Sequence, residues 1–135
     1  LNRNSYNNVW LDAREMIKTD QNYRCARVNW LDTERMLKES VQIGARYLTQ
    51  GFIASDDMGN TTTLGREGSD YSASIIAYCL DALEVVIWKD VPGVLNGDPK
   101  VFENTILLNQ INYRESIELA FYGALVIHPK TIQPL

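Results

Sequence analysis

The stretch Thr61-Thr62-Thr63-Leu64-Gly65-Arg66-Glu67-Gly68-Ser69-Asp70-Tyr71-Ser72 sets a hydroxyl run, two glycines, an arginine and an aspartate directly before an apolar segment, Ser74 to Leu83. Glycine lets backbone approach a ligand closely, and Ser69 or Asp70 is suited to cap a helix start. A helix N-terminus presents N–H groups and partial positive charge, which attract anions. Arg66 adds a planar fork that matches a carboxylate. The stretch therefore reads as an anion-binding loop that opens a helix from about Ser69 to Leu83. A glycine-rich turn before a well-capped helix, with no ligand, is the plainer alternative.

Upstream of this loop, Tyr47 to Ser55 reads as a strand centred on Phe52 and Ile53 and broken by Gly51. Before it, Met36, Leu37, Val41, Ala45 and Leu48 recur at helical steps, with Asp32 as the expected N-cap. Arg14 to Thr19 alternates loosely enough for a short strand, Asp20 to Arg24 is turn-like, and residues 1–8 read as a loop. Downstream, Val85-Val86-Ile87-Trp88 is an unbroken apolar run, the pattern of a strand covered on both faces. Lys89-Asp90-Val91-Pro92-Gly93 ends it, and Asn96-Gly97-Asp98-Pro99 forms a second turn cluster. Ile106 to Ile111 suggests another strand. Asn112 with Glu115 fits a capping box that opens a helix through Ile117, Ala120, Phe121 and Ala124. Val126-Ile127 suggests a last strand, and His128 before Pro129 is read as a capping or packing residue.

Strands that alternate with helices point to an α/β fold with a mainly parallel sheet. Ligands in such sheets bind beyond the carboxyl ends of strands. The loops after Phe52-Ile53, after Trp88 and near His128 occupy that position in this assignment.

The 135 residues are 45% hydrophobic, enough for one domain with its own core. A net charge of −4 argues against nucleic acid as the main partner, since phosphate binding needs a basic face. No apolar run approaches the ~20 residues of a membrane span, and the polar start of the chain is unlike a signal peptide. Cys25 and Cys79 lie far apart, without metal-ligand spacing, and read as reduced thiols of a cytoplasmic protein with no metal site of its own. Trp10, Trp30 and Trp88 are expected to anchor core or interface.

Several motifs in series carry a more specific signal. Gln50-Gly51-Phe52-Ile53, Thr62-Thr63-Leu64-Gly65-Arg66, Gly68-Ser69-Asp70-Tyr71-Ser72-Ala73, Ile87-Trp88-Lys89-Asp90-Val91-Pro92-Gly93-Val94, Asp98-Pro99-Lys100 and the segment from Gly123-Ala124 to His128-Pro129 together resemble aspartokinase, in that family's order and spacing. The resemblance runs from about Asp12 to the end. It implies a partial three-layer αβα sandwich of the amino-acid kinase class, and transfer of the ATP γ-phosphate to the side-chain carboxylate of L-aspartate. An aspartate carboxylate has an ordinary pKa near ~3.9, so at neutral pH it is already a nucleophile and needs no general base. The difficulty is to bring two anions together in line, so positioning and positive charge carry the catalysis.

By resemblance, Arg66 grips a substrate carboxylate, and Phe52, Gly68 and Ser69 shape the amino-acid pocket. Asp70 matches the family's active-site aspartate, in an orienting role. Lys89, Asp90, Leu95 and Asp98 are implied on the nucleotide side, with Lys100, Leu125 and Val126. Mg2+ is expected to arrive with the nucleotide. Leu95 stands where many relatives have a tyrosine, and Leu125 where many have a lysine. No segment of residues 1–135 resembles the family's lysine- and glycine-rich phosphate-binding strand, and its regulatory domains are not represented. The chain is thus expected to be the C-terminal half of an aspartokinase catalytic domain, inactive alone and self-associating through an exposed sheet edge as a homo-oligomer. A parent fused to a homoserine dehydrogenase is compatible with the resemblance. The competing readings are a sister kinase acting on another acid, such as acetylglutamate, and a non-catalytic association or regulatory subunit.

Overall fold

A computed structural model describes residues 7–121 and 126–135. The chain divides into two units, Leu1–Val85 and Val86–Leu135.

In the first unit, β1 (Val9–Leu11) pairs in parallel with β2 (Tyr47–Thr49). Asp12 caps the short helix α1 (Ala13–Met16) by accepting the Arg14 N–H at 3.0 Å, and its carboxylate also pairs with the Arg14 guanidinium at 2.6 Å. This helix replaces the strand expected from Arg14. Only Lys18 and Thr19 make bridges, to Ser55 and Val28. The aspartate cap decides the matter, because it satisfies an N–H that a strand would have to pair elsewhere.

Helix α2 (Trp30–Ser40) starts earlier than expected. Asn29, not Asp32, is its cap: Asn29 Oδ1 accepts the Asp32 N–H at 3.3 Å and Asn29 Nδ2 donates to Asp32 Oδ2 at 2.6 Å. The helix ends at Ser40, so Ala45 lies outside it and Leu48 belongs to β2.

The strand expected over Tyr47 to Ser55 is two strands. Gly51 and Phe52 bend the chain between β2 and β3 (Ile53–Ser55), and β3 forms an antiparallel hairpin with β4 (Thr61–Thr63). β4 is the threonine run. Thr62 faces inward, fully buried, where its hydroxyl meets that of Thr19 at 2.7 Å. Buried hydroxyls are tolerated when paired in this way.

Helix α3 (Gly68–Cys79) is shorter than expected at its end, since Leu80 leaves helical geometry and Asp81 adopts φ 55°. Neither Ser69 nor Asp70 caps it. Both lie inside the first turn, and Glu67 occupies the cap position in left-handed geometry with no side-chain cap bond. Met16, Ile17, Leu37, Ala54, Leu64, Tyr71, Ile75 and Cys79 form the core. Full burial of a side chain such as Ile17, Leu37 or Ile75 is worth ~1.5–3 kcal/mol. Trp30 meets Tyr78 edge to face at 5.4 Å, joining α2 to α3, whereas Trp10 stays exposed.

Among the described residues the second unit has two helices, α4 (Tyr113–Phe121) and α5 (Pro129–Ile132). The expected capping box opens α4: Glu115 N–H donates to Asn112 Oδ1 at 2.9 Å and Asn112 N–H to Glu115 Oε2 at 3.2 Å. His128 caps α5, with Nδ1 accepting the Lys130 N–H at 3.1 Å. The strand expected at Val85–Trp88 is irregular chain, and Trp88 is 92% exposed rather than an anchor. A strand exists only through a neighbour's ladder, and no described strand flanks this run. Ile106 to Ile111 likewise reduces to one bridge, Leu107 to Leu95, and Val126-Ile127 is a turn.

Candidate functional site

β1 and β2 are parallel, so their carboxyl ends lie side by side. The Ala13 N–H, just past β1, donates to Gln50 Oε1, just past β2, at 2.9 Å. From this edge the chain turns through Gly51 and Phe52 and meets the start of α3. The meeting is close. A Cβ at Gly51 would lie 2.9 Å from Ser69 Cα, and one at Gly68 would lie 2.7 Å from the Phe52 ring atom Cδ2. Each glycine admits the other segment. The Gly51–Phe52 bend and the Gly68–Ser69 helix start therefore interlock at the carboxyl end of the parallel pair, the location at which α/β sheets bind ligands.

Hydrogen bonds fasten the junction. Phe52 N–H donates to Ser72 Oγ at 2.9 Å, and Ser72 Oγ donates to Gly68 C=O at 2.7 Å. Phe52 C=O accepts the Leu64 N–H at 2.9 Å. Gly65, at φ 79°, turns the loop, and Gly68 N–H closes the turn on Gly65 C=O at 3.0 Å. Only glycine adopts this φ without strain.

The structure thus brings Phe52, Gly68 and Ser69 together, with Arg66 on the Gly65–Gly68 turn that precedes the helix and Asp70 in the first turn of α3. Arg66 is exposed and makes no ion pair among the described residues. Asp70 is half-buried in the first turn of α3, with Oδ2 shielded from solvent. A carboxylate there is favoured by the helix dipole. Tyr71, at the same helix start, has its hydroxyl pKa raised by burial. Ser72 escaped sequence reasoning. The available signal was a serine four residues after Gly68, the spacing at which a helical hydroxyl bonds back to a carbonyl.

The residues implied in nucleotide binding lie in the second unit. Lys89 and Asp90 are exposed on irregular chain, and Leu95 is half-buried at its bridge to Leu107. Asp98 organises a tight turn, with Oδ1 accepting the Lys100 N–H at 2.8 Å, which leaves the Lys100 side chain exposed. Val126 is half-buried in a turn, while Leu125 lies outside the described residues.

A separate cleft of about 270 Å³ in the first unit is lined by Lys18, Asp32, Arg35 and Asp56 among others. Its charges are engaged within the protein: Arg35 with Asp32, Asp56 with Asn60, and Lys18 Nζ with Ser55 Oγ. Among the described residues no group of three or more His, Cys, Asp or Glu side chains is placed to hold a metal ion, and no helix is long and apolar enough to cross a membrane.

The sequence matches the amino acid kinase family over residues 1–135. The chain belongs to that family. It is 38% identical over 133 residues to lysine-sensitive aspartokinase 3 of Escherichia coli, covering 93% of this chain and 28% of that protein. It is 37% identical over 124 residues to the bifunctional aspartokinase/homoserine dehydrogenase of Buchnera aphidicola, covering 91% of this chain and 15% of that one. The crystal structure of E. coli aspartokinase III in complex with aspartate and ADP superposes with a TM-score of 0.91 at 34% identity, over 98% of this chain and 30% of the other. This amino acid kinase chain thus has an aspartokinase-like α/β fold and spans less than a third of the length of these relatives.

Proposed function

We propose that the chain is the C-terminal half of an aspartokinase catalytic domain, and that it contributes part of the aspartate pocket and most of the nucleotide loops. The interlock of Gly51-Phe52 with Gly68-Ser69, with Arg66 exposed at the same turn, carries this reading. It offers a wall, a helix N-terminus and an uncommitted guanidinium to one small anionic amino acid. In this arrangement Arg66 receives a carboxylate in its two-pronged fork. Phe52, Gly68 and Ser69 bound the pocket, and Asp70 orients the substrate ammonium or a neighbouring lysine.

The side-chain carboxylate of aspartate attacks the γ-phosphorus of ATP, ADP leaves, and 4-phospho-L-aspartate forms. The carboxylate brings no proton that must be removed, so the protein's work is alignment and charge compensation. Lys89, Asp90, Leu95, Asp98, Lys100, Leu125 and Val126 are proposed on the nucleotide side. Exposed Lys100 on the Asp98 turn fits a polyphosphate, and Leu95 supplies an apolar wall for the base. Mg2+, carried on the nucleotide phosphates, would offset their charge.

Residues 1–135 contain no lysine- and glycine-rich phosphate segment. One such preorganised donor is worth ~10²–10³ in rate, so the isolated chain is proposed to be inactive. A cytoplasmic location is proposed from cysteine usage, two cysteines far apart in the chain and without metal-ligand spacing. Exposed Val9 and Trp10 on β1 fit a homo-oligomer.

Coupled ADP release by the full-length gene product tests the reading. Turnover that requires L-aspartate with Mg-ATP supports it. Turnover with N-acetylglutamate in place of aspartate, or none with either acid, contradicts it.

A further inference from the structure

Phe52 sits at φ 75°. A bulky residue there is a backbone outlier that persists only where its surroundings over-determine it. Three contacts do so. Its C=O is held by Leu64, its ring lies on Gly68, and its N–H is taken by Ser72 Oγ. The third is unusual. Ser72 is 2% exposed, one turn into α3, and its hydroxyl proton is already committed to Gly68 C=O at 2.7 Å. With the proton fixed on that carbonyl, a lone pair is left for the Phe52 N–H. One hydroxyl therefore joins the helix start to the loop by accepting from one and donating to the other. Phe52 nevertheless stays 43% exposed.

We infer that Ser72 is a positioning residue for the acceptor amino acid: its hydroxyl locks Phe52 in left-handed geometry and so sets the wall of the pocket beside Ser69 and Asp70. The inference rests on the proposed aspartate pocket and adds a residue to it. Ser72 is buried. Its effect passes through Phe52, and small displacements of a pocket wall are costly in productive orientation. Loss of the hydroxyl leaves the Phe52 N–H and the Gly68 C=O each without this partner, and the backbone strain at Phe52 is then free to relax. Both side-chain bonds of Ser72 stay within the first unit, to Phe52 and to Gly68, so the nucleotide side should be insensitive to it.

The test is steady-state kinetics of the full-length gene product with aspartate and Mg-ATP varied in turn, for the wild type and for Ser72→Ala, Ser72→Thr and Arg66→Ala. Amide hydrogen exchange at Phe52 is measured in each. Ser72→Ala should raise the aspartate KM roughly tenfold, leave the nucleotide KM within about twofold, and speed exchange at Phe52. Ser72→Thr, which keeps the hydroxyl, should restore most of the loss. Exchange elsewhere in α3 reports whether the variants remain folded; a general loss of protection in Ser72→Ala would make Ser72 a folding residue and overturn the inference. Should Arg66→Ala raise the aspartate KM while Ser72→Ala does not, or should Ser72→Ala change both KM values equally, the positioning role fails and the pocket stands. Should neither variant alter the aspartate KM, the pocket itself is wrong and the inference goes with it.

Discussion

Gly51 packs against Ser69 so closely that a Cβ at position 51 would lie 2.9 Å from Ser69 Cα and 3.4 Å from its carbonyl oxygen. The obstacle is backbone at a helix start, which no rotamer change can move. Gly51→Ala must therefore push β2 and α3 apart, and overpacking of this kind costs ~1–3 kcal/mol. Urea unfolding should show that loss. At Gly44, by contrast, a Cβ would meet nothing within 4 Å and φ is 87°, so an alanine costs only the strain of its backbone conformation, on the order of 1 kcal/mol. A Gly51→Ala protein as stable as wild type would contradict the interlock.

Asp56 anchors the hairpin turn between β3 and β4. Oδ1 accepts the Asn60 N–H at 2.7 Å and the Met58 N–H at 3.0 Å, and Oδ2 accepts the Asn60 side-chain amide at 3.0 Å. The Asn60 side chain first, then these backbone donors, hold the carboxyl below its ordinary value of 3.8, against the opposing effect of burial. A pKa depressed in the folded state stabilises above the unfolded value, and the contribution is lost as pH falls through the folded value. Asp56→Asn should be less stable than wild type at pH 6, and the difference should shrink below about pH 4. A difference that stays constant down to pH 3 in urea unfolding would contradict a charge-dependent anchor.

The two cysteines differ in burial. Cys79 is 2% exposed in the core, and burial pushes its thiol up to about 11, whereas Cys25 is exposed. At pH 8 only ~0.1% of such a buried thiol is ionised, and the thiolate is the reactive form. Iodoacetamide followed by peptide mass spectrometry should modify Cys25 quickly and Cys79 only at the rate of opening of the core. Equal labelling rates in the folded protein would place Cys79 elsewhere.

The Asn112–Glu115 box supplies α4 with partners for N–H groups that a helix start leaves open. Asn112→Ala should cost ~1 kcal/mol of helix stability. Amide exchange in the first turn of α4 should then accelerate roughly fivefold. Unchanged protection at Glu115 and Ser116 would mean that the box carries no weight.

Features set by neighbours in sequence were legible. Asn112 with Glu115, His128 before Pro129 and the break at Gly51 all act within a few residues, where side-chain and backbone geometry are decided locally. Features set by distant partners were not. Val85-Val86-Ile87-Trp88 has the composition of a buried strand, but a strand needs a ladder from elsewhere in the chain, and composition does not supply one. Thr61-Thr62-Thr63 was the converse case. Its hydroxyls suggested a loop, while its β-branched side chains and the pairing with Ile53–Ser55 made it β4. At the candidate site, Arg66, Gly68, Ser69 and Asp70 were visible because they share one loop. That Phe52 joins them was implied only by resemblance, and Ser72 was missed, since its importance lies in a hydrogen bond across twenty residues of chain.

The proposed aspartate pocket depends above all on the guanidinium of Arg66. The measurement is the aspartate KM of the full-length gene product with Arg66→Ala and Arg66→Lys, alongside thermal unfolding. Two charge-assisted hydrogen bonds from a guanidinium fork are worth enough to raise KM roughly hundredfold on truncation to alanine. Lysine should recover only part of it, because it keeps the charge and loses the fork. Stability should change by no more than about 0.5 kcal/mol, as expected for an exposed side chain. A wild-type aspartate KM in a folded Arg66→Ala enzyme would mean that Arg66 does not hold the substrate carboxylate.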